Sequence, residues 1–157
     1  MSSSTATTRT ALVGGGVFGI GLAALLDVLV FHLILQSHHL LSNWYEPHTH
    51  TGLQQNIYYD GLFALGMLGV MLVGAGVIWW AVNGSTQPLS TLALVGSILV
   101  GMGLFNSVDG IVSHYLLDIH DVVHGTTVWN PPWILVSVVL FLLGAALLHR
   151  GRRYNQN

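Results

Sequence analysis

The sequence predicts an all-α integral membrane protein, a four-helix bundle built from two parallel-repeat helical hairpins. Three observations carry that expectation. Only 6% of the 157 residues are Asp, Glu, Lys or Arg, while 52% are hydrophobic. Soluble domains carry about 25% charged residues, so this chain cannot clothe a water-facing surface. Four stretches reach the ~20 apolar residues needed to cross ~30 Å of hydrocarbon. The first and third of these stretches also repeat one another.

The elements follow in order. Residues 1–10 are rich in Ser and Thr, with Arg9 alone charged, and read as a disordered tail ahead of a transmembrane domain at 11–149. The first span runs from about Ala11 to Leu35. It is too long for a signal-peptide core and no small-residue cleavage pattern closes it, so it is kept as a span. The second runs from about Gly61 to Val82, and a tight polar turn, Asn83 to Pro88, leads into the third, from about Leu89 to Leu117. The fourth, from about Trp133 to Leu148, has Trp129 and Trp133 at its interfacial end. A basic tail follows at 150–157.

Two longer loops, Ser37 to Asp60 and Asp118 to Pro132, hold most of the histidines and share one side of the membrane, opposite both termini. All four basic residues, Arg9, Arg150, Arg152 and Arg153, flank the termini. Positive charge collects on the cytoplasmic side. The expected placement is therefore a multi-pass protein of the cell membrane with both termini cytoplasmic and the histidine-rich loops outside.

A formal net charge of −2 gives no electrostatic case for nucleic acid. The absence of cysteine excludes disulfides, thiolate metal sites and cysteine nucleophiles. Histidine is the informative excess, with nine against four basic residues. Glycines crowd the spans (Gly15 and Gly19, Gly66 and Gly69, Gly101 and Gly103), as close helix packing in lipid requires.

An offset of 82 residues lays the third span on the first. It matches Gly14 with Gly96, Gly19 with Gly101, Asp27 with Asp109, His32 with His114 and His38 with His120. Apolar matches come cheaply in membrane helices, whereas three ionisable matches in register do not. No comparable match joins spans two and four, so the second helix of each hairpin reads as having diverged. An even number of crossings separates the copies. Their pseudo-twofold axis should therefore lie along the membrane normal, with spans one and three adjacent.

Asp27 and Asp109 stand inside apolar spans, where an ionised carboxylate costs roughly 2.5–3.5 kcal/mol unless it is paired. At ~100° per residue, Asp27 and His38 share one helix face, as do Asp109 and His120, while His32 and His39 share another ~140° away. Either there are two clusters, or the helix ends before His38 and the loop folds back. Nitrogen and oxygen donors without sulfur suit zinc, copper(II) or iron, and carboxylate–histidine centres in four-helix bundles hold metal pairs. The expected metal ligands are His32, His38, His39, His114, His120, Asp27, Asp109 and Asp60, the last reaching the site if span two packs on span one. His124 is a secondary candidate. His48 and His50 can equally be solvated, and His149 beside Arg150 reads as an interfacial anchor.

These residues also carry a resemblance. The run from Asp27 through His32, Gln36, His38 and His39, with Asp60-Gly-Leu-Phe63, Phe105-Asn106, Gly110 to His114, and His120, resembles a family of small four-span prokaryotic membrane proteins of unknown function. The resemblance covers nearly the whole chain. It implies the four-span fold and the importance of the motif, and it implies no activity. The second copy departs from the family pattern at Ser113, Tyr115 and Asp121, as span two does at Ala64, where the family is richer in histidine.

The leading functional expectation is a metal-binding membrane protein, serving metal handling, assembly of a redox enzyme, or a membrane oxidase or hydroxylase. One alternative is electron transfer through a haem with His32 and His114 as axial ligands. Another is a proton or ion conduit through Asp27 and Asp109. Expected partners are the lipid bilayer and either other membrane subunits or further copies of the chain. The sequence alone does not decide whether the protein is an enzyme.

Overall fold

The computed structural model describes residues 3–154. Four helices account for most of them: α1 (Ser3–Asp27), α2 (His50–Asn83), α3 (Thr91–Ile111) and α4 (Asn130–Tyr154). Each of α1 and α3 continues into a π-helical turn, Val28–Ile34 and Val112–Leu116 respectively. All four are long and apolar enough to cross a membrane, over Thr8–Ile34, His50–Asn83, Thr91–Leu116 and Asn130–Arg153.

The helix ends follow local chemistry. Thr49 caps α2 by accepting the Gly52 N–H at 3.1 Å, and Ser90 caps α3 through the Ala93 N–H at 3.2 Å. Such caps satisfy donors that the first turn leaves unpaired. Pro131 and Pro132 sit in the first turn of α4, where a missing N–H costs nothing.

Three boundaries differ from the sequence expectation. The helix begins at Ser3, because a Ser/Thr-rich stretch is not a helix breaker, and the loose tail expected at residues 1–10 is helical from there. The basic stretch after residue 149 likewise stays helical to Tyr154; residues 155–157 lie outside the described part. The loop expected to reach Asp60 ends at Thr49, so α2 gains eleven residues at its start. At 34 residues and ~1.5 Å per residue, α2 outruns a ~30 Å hydrocarbon layer.

Helix α2 packs on α1, α1 on α3, and α3 on α4. The two repeat-bearing helices thus form the centre of the bundle and are far more buried than the flanking pair. The contact between them is twofold-symmetric. A Cβ added to Gly19 would collide with the Ile98 carbonyl, and one added to Gly101 would collide with the Gly16 carbonyl. Residues 16 and 98, like 19 and 101, are 82 apart. Only glycine permits backbones to come this close.

The outer helices obey the same symmetry at a different offset. On α2, Gly74 abuts Phe18 and Gly14; on α4, Gly144 abuts Val100 and Gly96. The inner partners are again 82 apart, but the outer glycines are 70 apart. The same offset pairs Leu65 with Leu135 and Leu72 with Leu142, all four exposed on the outer faces. Spans two and four are therefore a genuine repeat. The first hairpin has twelve more residues ahead of the matched region, ten of them in the first turns of α2 and two in the loop, which hides the match at an offset of 82.

Candidate metal centre

At the loop end, both central helices leave α-helical geometry in the same way. The Leu35 N–H donates to Val30 O at 2.8 Å and the Ser37 N–H to Phe31 O at 2.9 Å. The Leu117 N–H donates to Val112 O at 2.8 Å and the Ile119 N–H to Ser113 O at 3.0 Å. These are wide turns closed across five and six residues. Next comes a residue in the left-handed region, Gln36 (φ 50°) and Asp118 (φ 49°), again 82 apart. Left-handed backbone at a non-glycine residue is uncommon, and it turns each chain back over its own helix end.

Both devices serve the same purpose. Residues five apart lie well apart around an α-helix, whereas a turn bonded across five residues brings them toward one face. Asp27 Oδ2 thereby lies 3.3 Å from His32 Nε2, and Asp109 Oδ2 lies 3.6 Å from His114 Nε2. The reversal then returns the third member. His38 Nε2 is 3.7 Å from Asp27 Oδ1, and His120 Nε2 is 3.8 Å from Asp109 Oδ2. Of the two geometries compatible with the sequence, the helix that ends and folds back is the one observed.

The two halves lock together across the axis. His38 Nδ1–H donates to Val122 O at 3.0 Å, and His120 Nδ1–H donates to Leu40 O at 3.0 Å. Their rings stack with centroids 5.1 Å apart and planes 6° apart. His32 contacts His38 at 4.5 Å and His114 contacts His120 at 4.7 Å. Four imidazoles thus run in the order His32, His38, His120, His114, each 3% exposed or less. Burial pushes the His38 imidazole, which lies just beyond the membrane-spanning helix, below the usual histidine range.

The outer helices reach in through one residue each. Fully buried Asp60 on α2 accepts from His32 Nδ1–H at 2.8 Å, His39 Nδ1–H at 2.7 Å and the Leu40 N–H at 2.9 Å. At the equivalent place on α4, fully buried Asn130 accepts the Val122 N–H at 3.0 Å and donates to Asp121 Oδ1 at 2.6 Å. The correspondence covers every element: 60 with 130, 40 with 122, and 39 with 121.

Among the described residues, three groups of donor atoms lie within 4.8 Å of one another: Asp27, His32 and His38; Asp109, His114 and His120; and His32, His39 and Asp60. All eight residues expected as ligands therefore fall in one buried region. His124, half-buried, touches the His39 ring at 5.5 Å and exposed His48 at 5.9 Å. Burial, with His39, His38 and His48 nearby, pushes His124 down to about 4. His50 is exposed at the start of α2. Trp133, expected at the membrane interface, packs edge-on against Phe31 with ring centroids 5.2 Å apart.

Sequence reasoning missed Asn130 and Ser113. Asn130 carries no charge and no motif, and only the 70-residue offset onto Asp60 points to it. The Ser113 hydroxyl donates to Asp109 Oδ1 at 2.7 Å, one helical turn away. Its counterpart Phe31 has no donor, so the repeat gives no sign of it.

A four-helix membrane bundle enclosing a twofold-repeated histidine–aspartate centre is the class that fold and site define. The chain belongs to the family described as "Predicted membrane protein (DUF2243)", whose model matches residues 14–151. No curated protein and no solved structure matches it significantly.

Proposed function

We propose that this integral membrane protein binds metal ions through its two repeated sets, Asp27–His32–His38 and Asp109–His114–His120, with Asp60 and His39 behind the first. One observation carries the reading: imidazole nitrogens and carboxylate oxygens converge in each set without hydrogen-bond partners for most of them among the described residues. His32, His38 and His120 each spend Nδ1–H on a carboxylate or carbonyl, which in the neutral ring leaves a bare lone pair at Nε2. In each set these lone pairs face an aspartate. His32 Nε2, His114 Nε2, His120 Nε2 and Asp27 Oδ1 are all buried without a hydrogen-bond partner. Buried polar atoms are almost always paired, so a cation among them resolves the conflict. A Nδ1–H bonded to oxygen is also how ligating histidines are oriented. The donor set suits zinc, copper(II) or iron. The haem alternative fares less well, because the His38 and His120 rings pack against both His32 and His114.

The test is elemental analysis of full-length protein purified in mild detergent. Wild type should retain stoichiometric metal, the double variant His32→Ala/His114→Ala should retain none, and His149→Ala should match wild type. Metal-free wild type, with the double variant changing only thermal stability, would show the Asp–His pairs to be structural.

The orientation belongs to the same proposal. The arginines at both termini support a cytoplasmic placement of the chain ends, with the histidine end outside. Cysteines placed at Thr51 and Ser85 should label from opposite faces, Thr51 from outside. Labelling of both from one face contradicts the topology, and labelling of Thr51 from inside contradicts the orientation.

A further inference from the structure

The two half-sites share a backbone but not their surroundings, and three differences point the same way. First, His32 Nδ1 is held by the Asp60 carboxylate at 2.8 Å, whereas both nitrogens of His114 are buried without a partner. A carboxylate behind a ligating imidazole fixes its tautomer and raises its basicity. Second, Asn130 occupies the place of Asp60, but it is neutral, and its amide oxygen and nitrogen are taken by Val122 N and Asp121 Oδ1. Third, Ser113 holds Asp109 Oδ1 at 2.7 Å, so His114 and His120 both face Oδ2 alone, whereas Asp27 turns one oxygen to His32 and the other to His38. The Asp27 set therefore offers both carboxylate oxygens to an ion and the Asp109 set offers one.

We infer that the half-sites are functionally unequal: the Asp27 set holds a resident ion tightly, and the Asp109 set holds a second ion that exchanges. Asp60 is the positioning residue that separates them, acting through His32. This inference rests on the proposed metal binding and adds a division of labour to it. A tight site beside a loose one suits a protein that keeps one ion in place while passing another on.

The probe is Zn²⁺ alone, titrated into chelator-stripped, full-length protein in detergent against a chromophoric competitor. Wild type should show two steps, with dissociation constants about 10–100-fold apart, the usual effect of a carboxylate supporting a ligand. His114→Ala should delete the weaker step and keep the tighter one, and His32→Ala should do the reverse. Asp60→Asn should weaken the tighter step by about 10–100-fold and leave the weaker one in place. A merely structural Asp60 would degrade both steps together. Should Asp60→Asn fail to fold, the wild-type isotherm and His114→Ala decide the question. Two equal steps, or loss of the tighter step in His114→Ala, overturn the inequality while leaving metal binding intact. Absence of Zn²⁺ uptake by wild type overturns both.

Discussion

In the first half of the molecule the Leu40 N–H ends on Asp60; in the second, the Val122 N–H ends on Asn130. The backbone geometry is the same and the chemistry is not. From Asp60 the first half continues to His39 and His32, whereas the second continues from Asn130 to Asp121 and stops short of His114. The helix contacts, wide turns, left-handed reversals and His-to-carbonyl bonds are duplicated. The groups that tune the imidazoles are not. A repeat can therefore preserve a scaffold while its copies diverge in electrostatics, and the largest difference is Asp60 on one outer helix against Asn130 on the other.

The scaffold half of this comparison breaks most easily at the central glycines. Gly19→Leu and Gly101→Leu each drive a side chain into backbone on the opposite central helix. Both should abolish recovery of monodisperse protein on size-exclusion chromatography. Recovery of either at wild-type yield would mean that the central contact is looser than the geometry requires.

Next in size are the buried residues of the outer helices. Asp60→Ala leaves two histidines and the Leu40 N–H without their acceptor. Breaking a buried charged network of this kind costs about 3–5 kcal/mol. Asn130→Ala strands the Val122 N–H and Asp121, costing about 1–3 kcal/mol. Thermal melts in detergent with chelator should therefore rank Asp60→Ala below Asn130→Ala. The opposite ranking would remove the claimed asymmetry.

A symmetric prediction follows from the axis itself. His38→Ala and His120→Ala each remove one of two matching bonds to a carbonyl. Without metal they should lower the melting temperature by the same amount, corresponding to about 1–3 kcal/mol. The smallest effect belongs to Ser113→Ala, which removes one bond to the Asp109 carboxylate, at about 1.5 kcal/mol. A shift larger than that of His120→Ala would assign Ser113 a part in holding α3 together that its single bond does not explain.

Much of this was legible in the sequence because it depends on composition and on scarce residue types. With 6% charged residues the chain must sit in lipid, and in such a chain a repeated Asp-x4-His-x5-His stands out. The second-helix repeat was not legible. Extra turns at the start of α2 and a slightly longer loop shift its offset from 82 to 70, and the surviving identities, such as Leu65 with Leu135 and Gly74 with Gly144, are apolar or small and common in any span.

By itself, then, the sequence determined the environment, the four spans, the pairing of the two central helices and the side chains available for a centre. Those follow from hydrophobicity and from the cost of an unpaired aspartate in hydrocarbon. Only the tertiary structure decided that the side chains meet. On an ideal α-helix Asp27, His32 and His38 diverge; a turn closed across five residues and a left-handed Gln36 make them converge. Only the tertiary structure, too, set Asp60 behind one half and Asn130 behind the other. That depends on which residue of α2 or α4 lies level with the reversed chain, a register set by backbone contact at glycines rather than by any local preference of the residues themselves.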